Sequence, residues 1–145
     1  MHLDKLYLCI TKKYKMVKAD ISNLEDIQLL VNTFYSRVRE NELLGPIFNG
    51  ILKDRWTEHL EKMYRFWQTI LLEVPTYSGS PFPPHAKLPV SQLHFDTWLQ
   101  LWHGTLDEFF AGEKAEEAKW RGARMAEMFM FKIDYYRNNN AKPLL

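Results

Sequence analysis

The feature that most constrains the fold is a helical spacing of apolar residues, which is lost in one proline-rich segment in the middle of the chain. Apolar residues recur at steps of three and four in four stretches, residues 27–38, 59–70, 95–109 and 118–136. Such steps place side chains on one face of an α-helix, and no stretch shows the alternation of a half-buried strand. The spacing therefore predicts an all-α domain of four or five helices.

Helix ends are predicted from capping residues and helix breakers. The first helix has three candidate N-caps, Asp20, Ser22 and Asn23. It should end before the string NELLGPIF, where Gly45 and Pro46 interrupt the spacing and a turn returns Phe48 to the apolar side. Gly112 is placed to act as the C-cap of the third helix. The remaining helices are predicted at about residues 54–73, 91–111 and 113–137.

Composition excludes several classes of partner. The 145 residues carry 19 Lys and Arg against 18 Asp and Glu, a formal charge of +1 without a basic block for nucleic acid or anionic membrane. The chain is long enough for one core, and the single cysteine, Cys9, cannot form an intrachain disulfide or a c-type haem attachment. The sequence therefore predicts a single domain in the cytoplasm. Residues 1–15 are predicted to be a dispensable extension, and residues 16–145 the domain itself.

Motifs for common enzymes are missing from the sequence. It has no HExxH, no glycine-rich phosphate loop and no GxSxG, which removes the usual hydrolytic and nucleotide-binding interpretations. His94 and His103 are nine residues apart, about 2.5 helical turns, so they point to opposite sides of a helix and do not form a zinc pair.

A few polar side chains are predicted to lie among the aromatic residues of the core: Tyr35, His59, His85 and Trp98. A flat apolar cofactor such as haem needs such surroundings, because haem iron takes a neutral imidazole as axial ligand and its bound gas is sensitive to nearby donors. Taken singly, His59 and Trp98 are more often packing residues, and His85 lies in the proline-rich segment, where a histidine is usually solvated. Spacing alone therefore leaves open a cofactor-free helical interaction module.

Four stretches of sequence, taken in order, favour a haem-binding protein over the cofactor-free module. FYSRVRENELLGPIF (34–48), WTEHLEKMYRFW (56–67), YSGSPFPPHAKLPV (77–90) and HFDTWLQLWHGTLDEFFAG (94–112) resemble the group III truncated haemoglobins in order and spacing. The resemblance extends from about residue 20 to residue 137. It implies a shortened globin fold, two helices over two, around haem b.

The resemblance also implies a role for individual residues. His85, in PHAKLP, corresponds to the proximal histidine that coordinates the iron, and His94 is its main rival. On the distal side, Tyr35, His59 and Trp98 correspond to residues that surround the gas ligand. The remaining cofactor contacts implied are Phe48 on the haem plane, Met63 in the distal cavity and Lys62 near a propionate.

The expected function is reversible binding of O2 and other diatomic gases such as NO and CO. Several hydrogen-bond donors around bound oxygen would slow its release, which suits scavenging, sensing or redox conversion better than bulk oxygen transport. NO dioxygenase or peroxidase-like activity would need an external reductase, because the sequence has no flavin or NAD module. We expect a monomer without nucleic-acid or membrane partners.

Overall fold

The computed structural model describes residues 17–139, and the regular secondary structure in this part of the chain is entirely helical. The helices are α1 (Leu24–Glu40), α2 (Gly45–Leu52), α3 (Trp56–Leu72), a 3-10 turn (Pro83–His85), α4 (Gln92–Phe109) and α5 (Glu113–Asn139). The predicted all-α class is thus confirmed. The predicted extension, residues 1–15, and the domain start at Met16 lie outside the described residues.

Two of the three candidate caps act on different helices. Asn23 is the N-cap of α1, and its side chain accepts a hydrogen bond from the Asp26 N–H at 2.9 Å. The carboxylate of Asp20 instead accepts the backbone N–H groups of Lys114 at 2.8 Å and Ala115 at 2.9 Å. Asp20 therefore caps α5 from a distant part of the chain, where a negative charge also favours the helix dipole.

The prediction that Gly112 is the C-cap of the third helix is wrong. Helix α4 ends at Phe109, and its C-cap is Phe110 in an extended conformation, with φ −136° and ψ 157°. Gly112 has φ 143°, and a Cβ there would lie 2.5 Å from Cγ of Asp20. Glycine is needed at this position because the carboxylate that caps α5 leaves no room for a side chain.

The Gly45-Pro46 sequence begins a helix where a break was predicted. Proline is tolerated in the first turn of a helix, since its missing N–H has no intrahelical acceptor there. A Cβ at Gly45 would lie 2.6 Å from the carbonyl oxygen of Arg39, so a glycine allows α2 to start close to the end of α1. The resulting short helix carries Phe48 back toward the core.

Two pairs of helices form the core, with α1 and α3 packed against α4 and α5. Trp102 on α4 is fully buried at their junction, and its indole N–H donates to the Ala118 carbonyl at 3.0 Å. A Cβ at Gly122 would lie 2.8 Å from the same indole. The small residues Ala118 and Gly122 thus allow the close approach of α4 and α5.

The proline-rich segment between α3 and α4 is anchored to α5. Phe82 is 3% exposed, contacts the Phe129 ring edge-on at 5.4 Å between centroids, and stacks on Tyr136 at 5.9 Å. The 3-10 turn that follows ends at His85. None of the helices within residues 17–139 is long and apolar enough to cross a membrane.

Candidate functional site

A cleft lies between the helix pairs and is closed on one side by the proline-rich segment. It holds about 900 Å³ of space free of protein atoms, counting its open mouth. Six of the seven predicted site residues line it: Tyr35, Phe48, His59, Met63, His85 and Trp98. Apart from the polar ends of a few side chains, its walls are apolar and aromatic. Such a cleft suits a flat, largely apolar molecule.

His85 enters the cleft from the proline-rich segment with a defined tautomer. Its Nδ1 lies 2.6 Å from the carbonyl oxygen of Pro81. Because a carbonyl only accepts hydrogen bonds, Nδ1 carries the proton and Nε2 keeps its lone pair. The Phe129 ring, 4.8 Å away between centroids, limits the orientation of the imidazole. Burial lowers the pKa of His85, so the side chain is neutral and able to ligate a metal.

His94 also lines the cleft, but its imidazole is used differently. Its Nδ1 accepts the backbone N–H of Ser91 at 3.0 Å in a capping box at the start of α4. In the neutral ring this acceptor role requires the proton to be on Nε2. Neither nitrogen of His94 then offers a free lone pair to the cleft. The hydrogen bonds therefore favour His85 over His94 as a metal ligand.

Tyr35 reaches the cleft from α1 and is 6% exposed. Its ring makes edge-on contacts with His59 at 4.9 Å and with Phe48 and Trp56 at 6.0 Å. Within residues 17–139 its hydroxyl has no hydrogen-bond partner, and burial raises its pKa, so it remains a protonated O–H donor.

His59 reaches the same side from α3. Its Nε2 is buried without a hydrogen-bond partner in the described part of the chain. Burial lowers the pKa of His59 to about 4, and repulsion from the charge of Lys62, and from His85 whenever that ring is protonated, acts in the same direction. The imidazole is therefore neutral at pH 7. A buried polar atom without a partner is costly, so it is a position where a ligand is expected to bind.

Trp98 lies on α4 between the core and the cleft. Its indole stacks on Trp102 at 5.8 Å and meets Phe34 edge-on at 5.3 Å. No protein acceptor within residues 17–139 binds its indole N–H. Packing thus holds the ring while its donor stays available. Phe48 and Met63 contribute apolar wall on α2 and α3.

Lys62 is the predicted site residue that does not line the cleft. Its side chain is exposed, one position before Met63 on α3. Burial is the main reason that the pKa of both His59 and His85 is lowered, but the charge of Lys62 lowers both further. The ammonium group therefore lies near the cleft without forming its wall.

Sequence reasoning did not assign several wall residues to the site: Leu44, Ile47, Leu88, Val90, Met125 and Phe129. Met125 and Phe129 lie in the stretch 118–136, which the sequence predicted only as an apolar helix face. Leu88 and Val90 flank the last proline of the loop. The sequence did contain a signal for both groups of wall residues. The apolar face of α5 and the apolar residues beside His85 come together when the proline-rich segment folds against that helix.

The residues present fit a haem. Among residues 17–139, no group of three or more His, Cys, Asp or Glu side chains could hold a metal ion by itself. A single imidazole with a free Nε2 instead suits an iron whose other ligands come from a macrocycle. The apolar walls would cover the faces of that macrocycle, while its charged propionates would need the open mouth.

Comparisons with known proteins agree with this geometry. A family model described as bacterial-like globin matches residues 20–132. The group 3 truncated hemoglobin ctb of Campylobacter jejuni is 34% identical over 117 residues, which cover 78% of this chain and 92% of that protein. A crystal structure of a group III truncated hemoglobin from Campylobacter jejuni superposes with a TM-score of 0.74 at 32% identity, covering 81% of this chain and 95% of that one.

Proposed function

The chain belongs to the bacterial-like globin family, among the group III truncated haemoglobins, and from this premise we propose that it holds haem b in the cleft and binds O2, NO or CO there. The observation that carries the proposal is the tautomer of His85. Its Nδ1 is held by the Pro81 carbonyl at 2.6 Å, which leaves Nε2 free, so His85 would hold the iron of a bound haem. When bound, the haem would supply an iron able to take a diatomic gas.

Three side chains build the polar part of the distal pocket. Tyr35 and Trp98 act as hydrogen-bond donors toward the gas ligand, and His59 offers a neutral imidazole. A charge-assisted bond, which we assign to Tyr35, is worth about 1.5–3 kcal/mol, and an ordinary hydrogen bond, which we assign to Trp98, about 0.5–1.5 kcal/mol. Release is therefore slow, which suits scavenging, sensing or redox conversion of the gas rather than bulk oxygen transport.

The remaining cofactor contacts follow from the positions of the side chains. Phe48 and Met63 cover apolar surface of the macrocycle. Lys62, exposed near the cleft, attracts a propionate at the mouth. The side chain of Lys62 stays hydrated, so this contribution is the smallest of the set.

Redox turnover of the gas is a second part of the proposal. NO dioxygenation or a peroxidase-like reaction needs electrons that this chain does not supply, since its sequence carries no flavin or NAD motif. An external reductase is the partner implied. We further propose a cytoplasmic location, on the basis of the single cysteine.

The test is the absorption spectrum of the purified protein, recorded before and after addition of haemin. We expect a strong Soret band that shifts upon reduction with dithionite and again upon addition of CO. A colourless protein that takes up no haemin would contradict the proposal and favour a cofactor-free helical module.

A further inference from the structure

A second cavity lies between α1 and α3 and is called here the outer chamber. It holds about 710 Å³ of space free of protein atoms, counting its open mouth. Its rim is polar, with Ser36, Arg39 and Glu40 exposed on α1. The rest of its wall consists of Asn32, Tyr35, Trp56 and Leu60. Of these residues, Tyr35 also lines the cleft, so one layer of side chains separates the two cavities.

This layer is aromatic. The centroid of the Trp56 ring lies 6.0 Å from that of Tyr35 and 6.0 Å from that of His59, both in edge-on geometry. Rings in this arrangement exclude water and ions but offer an apolar path when one of them moves. The part of the cleft behind the layer is the distal side, which both Tyr35 and His59 line. There the Nε2 of His59 is buried without a hydrogen-bond partner among residues 17–139.

Trp56 is the member of the layer that can move without disturbing a helix. It is the first residue of α3, and the preceding N-cap, Arg55, makes no side-chain capping bond. Three contacts hold the indole, and the residue is 7% exposed. Its N–H donates to Asn49 Oδ1 at 3.0 Å, the Arg39 guanidinium lies 4.6 Å from its ring centroid, and the Phe48 ring stacks on it at 6.2 Å. Arg39 is itself exposed at the chamber rim, so one of these restraints can be released into water.

We propose that the outer chamber is a transit site for small neutral diatomic molecules, which pass between it and the distal side of the cleft when Trp56 swings away from Tyr35. The cation–π contact from Arg39 restrains this movement and so limits the rate of entry. The inference rests on the proposed function, because it concerns the path to the same distal pocket. The outer chamber is then a second ligand site beside the cleft, and its walls come from α1 and α3 alone.

The experiment measures O2 association by the holoprotein after flash photolysis of its CO complex. Ser36→Trp fills the chamber from an exposed position and should slow association. Arg39→Met removes the cation–π contact but keeps side-chain bulk, and should speed association about two- to fivefold, the factor that such a contact contributes to an equilibrium. Leu29→Trp is the matched control, since Leu29 lies exposed on the same helix outside the chamber.

An association rate in Ser36→Trp equal to that of Leu29→Trp would overturn the inference, whatever the rate in Arg39→Met. A slower rate in Ser36→Trp together with a faster rate in Arg39→Met would support it. The Soret spectrum of each variant separates this outcome from failure of the proposed function. Normal CO spectra with unchanged rates reject only the transit site, whereas a protein without a haem spectrum rejects the function itself.

Discussion

On the side of the cleft formed by the proline-rich segment, called here the loop side, the Nδ1 of His85 is held 2.6 Å from a backbone carbonyl. On the side formed by α1 and α3, called here the helical side, the Nε2 of His59 is buried without a partner in the described part of the chain. The buried Tyr35 hydroxyl likewise has no hydrogen-bond partner within residues 17–139. A metal ligand must keep one orientation and one tautomer, which a fixed backbone group provides. Groups that respond to an exchanging gas must instead keep their hydrogen-bonding capacity free.

The two sides also differ in how the chain builds them. The loop side depends on prolines and on Phe82, which is anchored against α5 by Phe129 and Tyr136. The helical side depends on a regular spacing along α1 and α3, which brings Tyr35 and His59 within 4.9 Å between ring centroids. A rigid irregular segment thus positions the proposed iron ligand, and two ordinary helices position the side chains proposed to face the gas.

The largest effect is expected from His85→Ala on the loop side. It removes the free Nε2, so proximal coordination and the spectrum of a five-coordinate ferrous haem should be lost completely. Absorption and resonance Raman spectra of the reduced protein measure this. His94→Gln is the control and should keep both spectra, because His94 uses Nδ1 to accept the Ser91 N–H. Loss of coordination in His94→Gln with retention in His85→Ala would reverse the assignment.

Tyr35→Phe tests the main donor of the helical side. The loss of a charge-assisted hydrogen bond of about 1.5–3 kcal/mol should speed O2 dissociation roughly 10- to 100-fold. Stopped-flow displacement of O2 by CO gives the rate. Tyr64→Phe serves as the control, since the Tyr64 hydroxyl donates to Asn32 and its ring does not line the cleft. Equal dissociation rates in wild type and Tyr35→Phe would remove Tyr35 from the distal pocket.

A smaller effect is expected from Trp98→Phe. This change keeps a ring against Trp102 and removes the indole N–H. A hydrogen bond of about 0.5–1.5 kcal/mol corresponds to dissociation that is roughly two- to tenfold faster. The same displacement experiment applies. If Trp98→Phe released O2 as fast as Tyr35→Phe does, the two donors would have equal weight, contrary to this ranking.

The smallest effect concerns pH. The pKa of His59 is lowered by burial to about 4 from an ordinary 6.5. The imidazole therefore stays neutral as the pH falls from 8 to about 5.5, and O2 dissociation should be constant over that range. His59→Gln should show the same flat profile. A slower release with a midpoint near pH 6.5 in the wild type alone would show that His59 is solvated and protonates normally.

Periodicity was sufficient for most of the fold. The helices over residues 24–40, 56–72 and 113–139 lie close to their predicted bounds because each buries one apolar face. The roles of Gly45 and Gly112 were predicted wrongly because glycine occurs both where a helix ends and where another part of the chain leaves no room for a side chain. Both were interpreted as breakers or caps, whereas contacts with Arg39 and Asp20 from other parts of the chain require them.

The candidate site, too, was predictable from the sequence only in part. Spacing placed Tyr35, His59 and Trp98 near the core, and the ordered strings indicated their family and singled out His85. The sequence could not distinguish the hydrogen-bonding state of His85 from that of His94. That difference depends on one carbonyl acceptor and one N–H donor, which are brought to the two rings by the local fold.

The sequence by itself determined the helical class, the core faces and the family, because these depend on residue types at fixed intervals along one chain. Only the tertiary structure decided which imidazole keeps a free nitrogen and which polar atoms stay without partners. It also decided that Tyr35 lines both the cleft and the outer chamber. These properties depend on the distance between residues far apart in sequence, and packing fixes that distance.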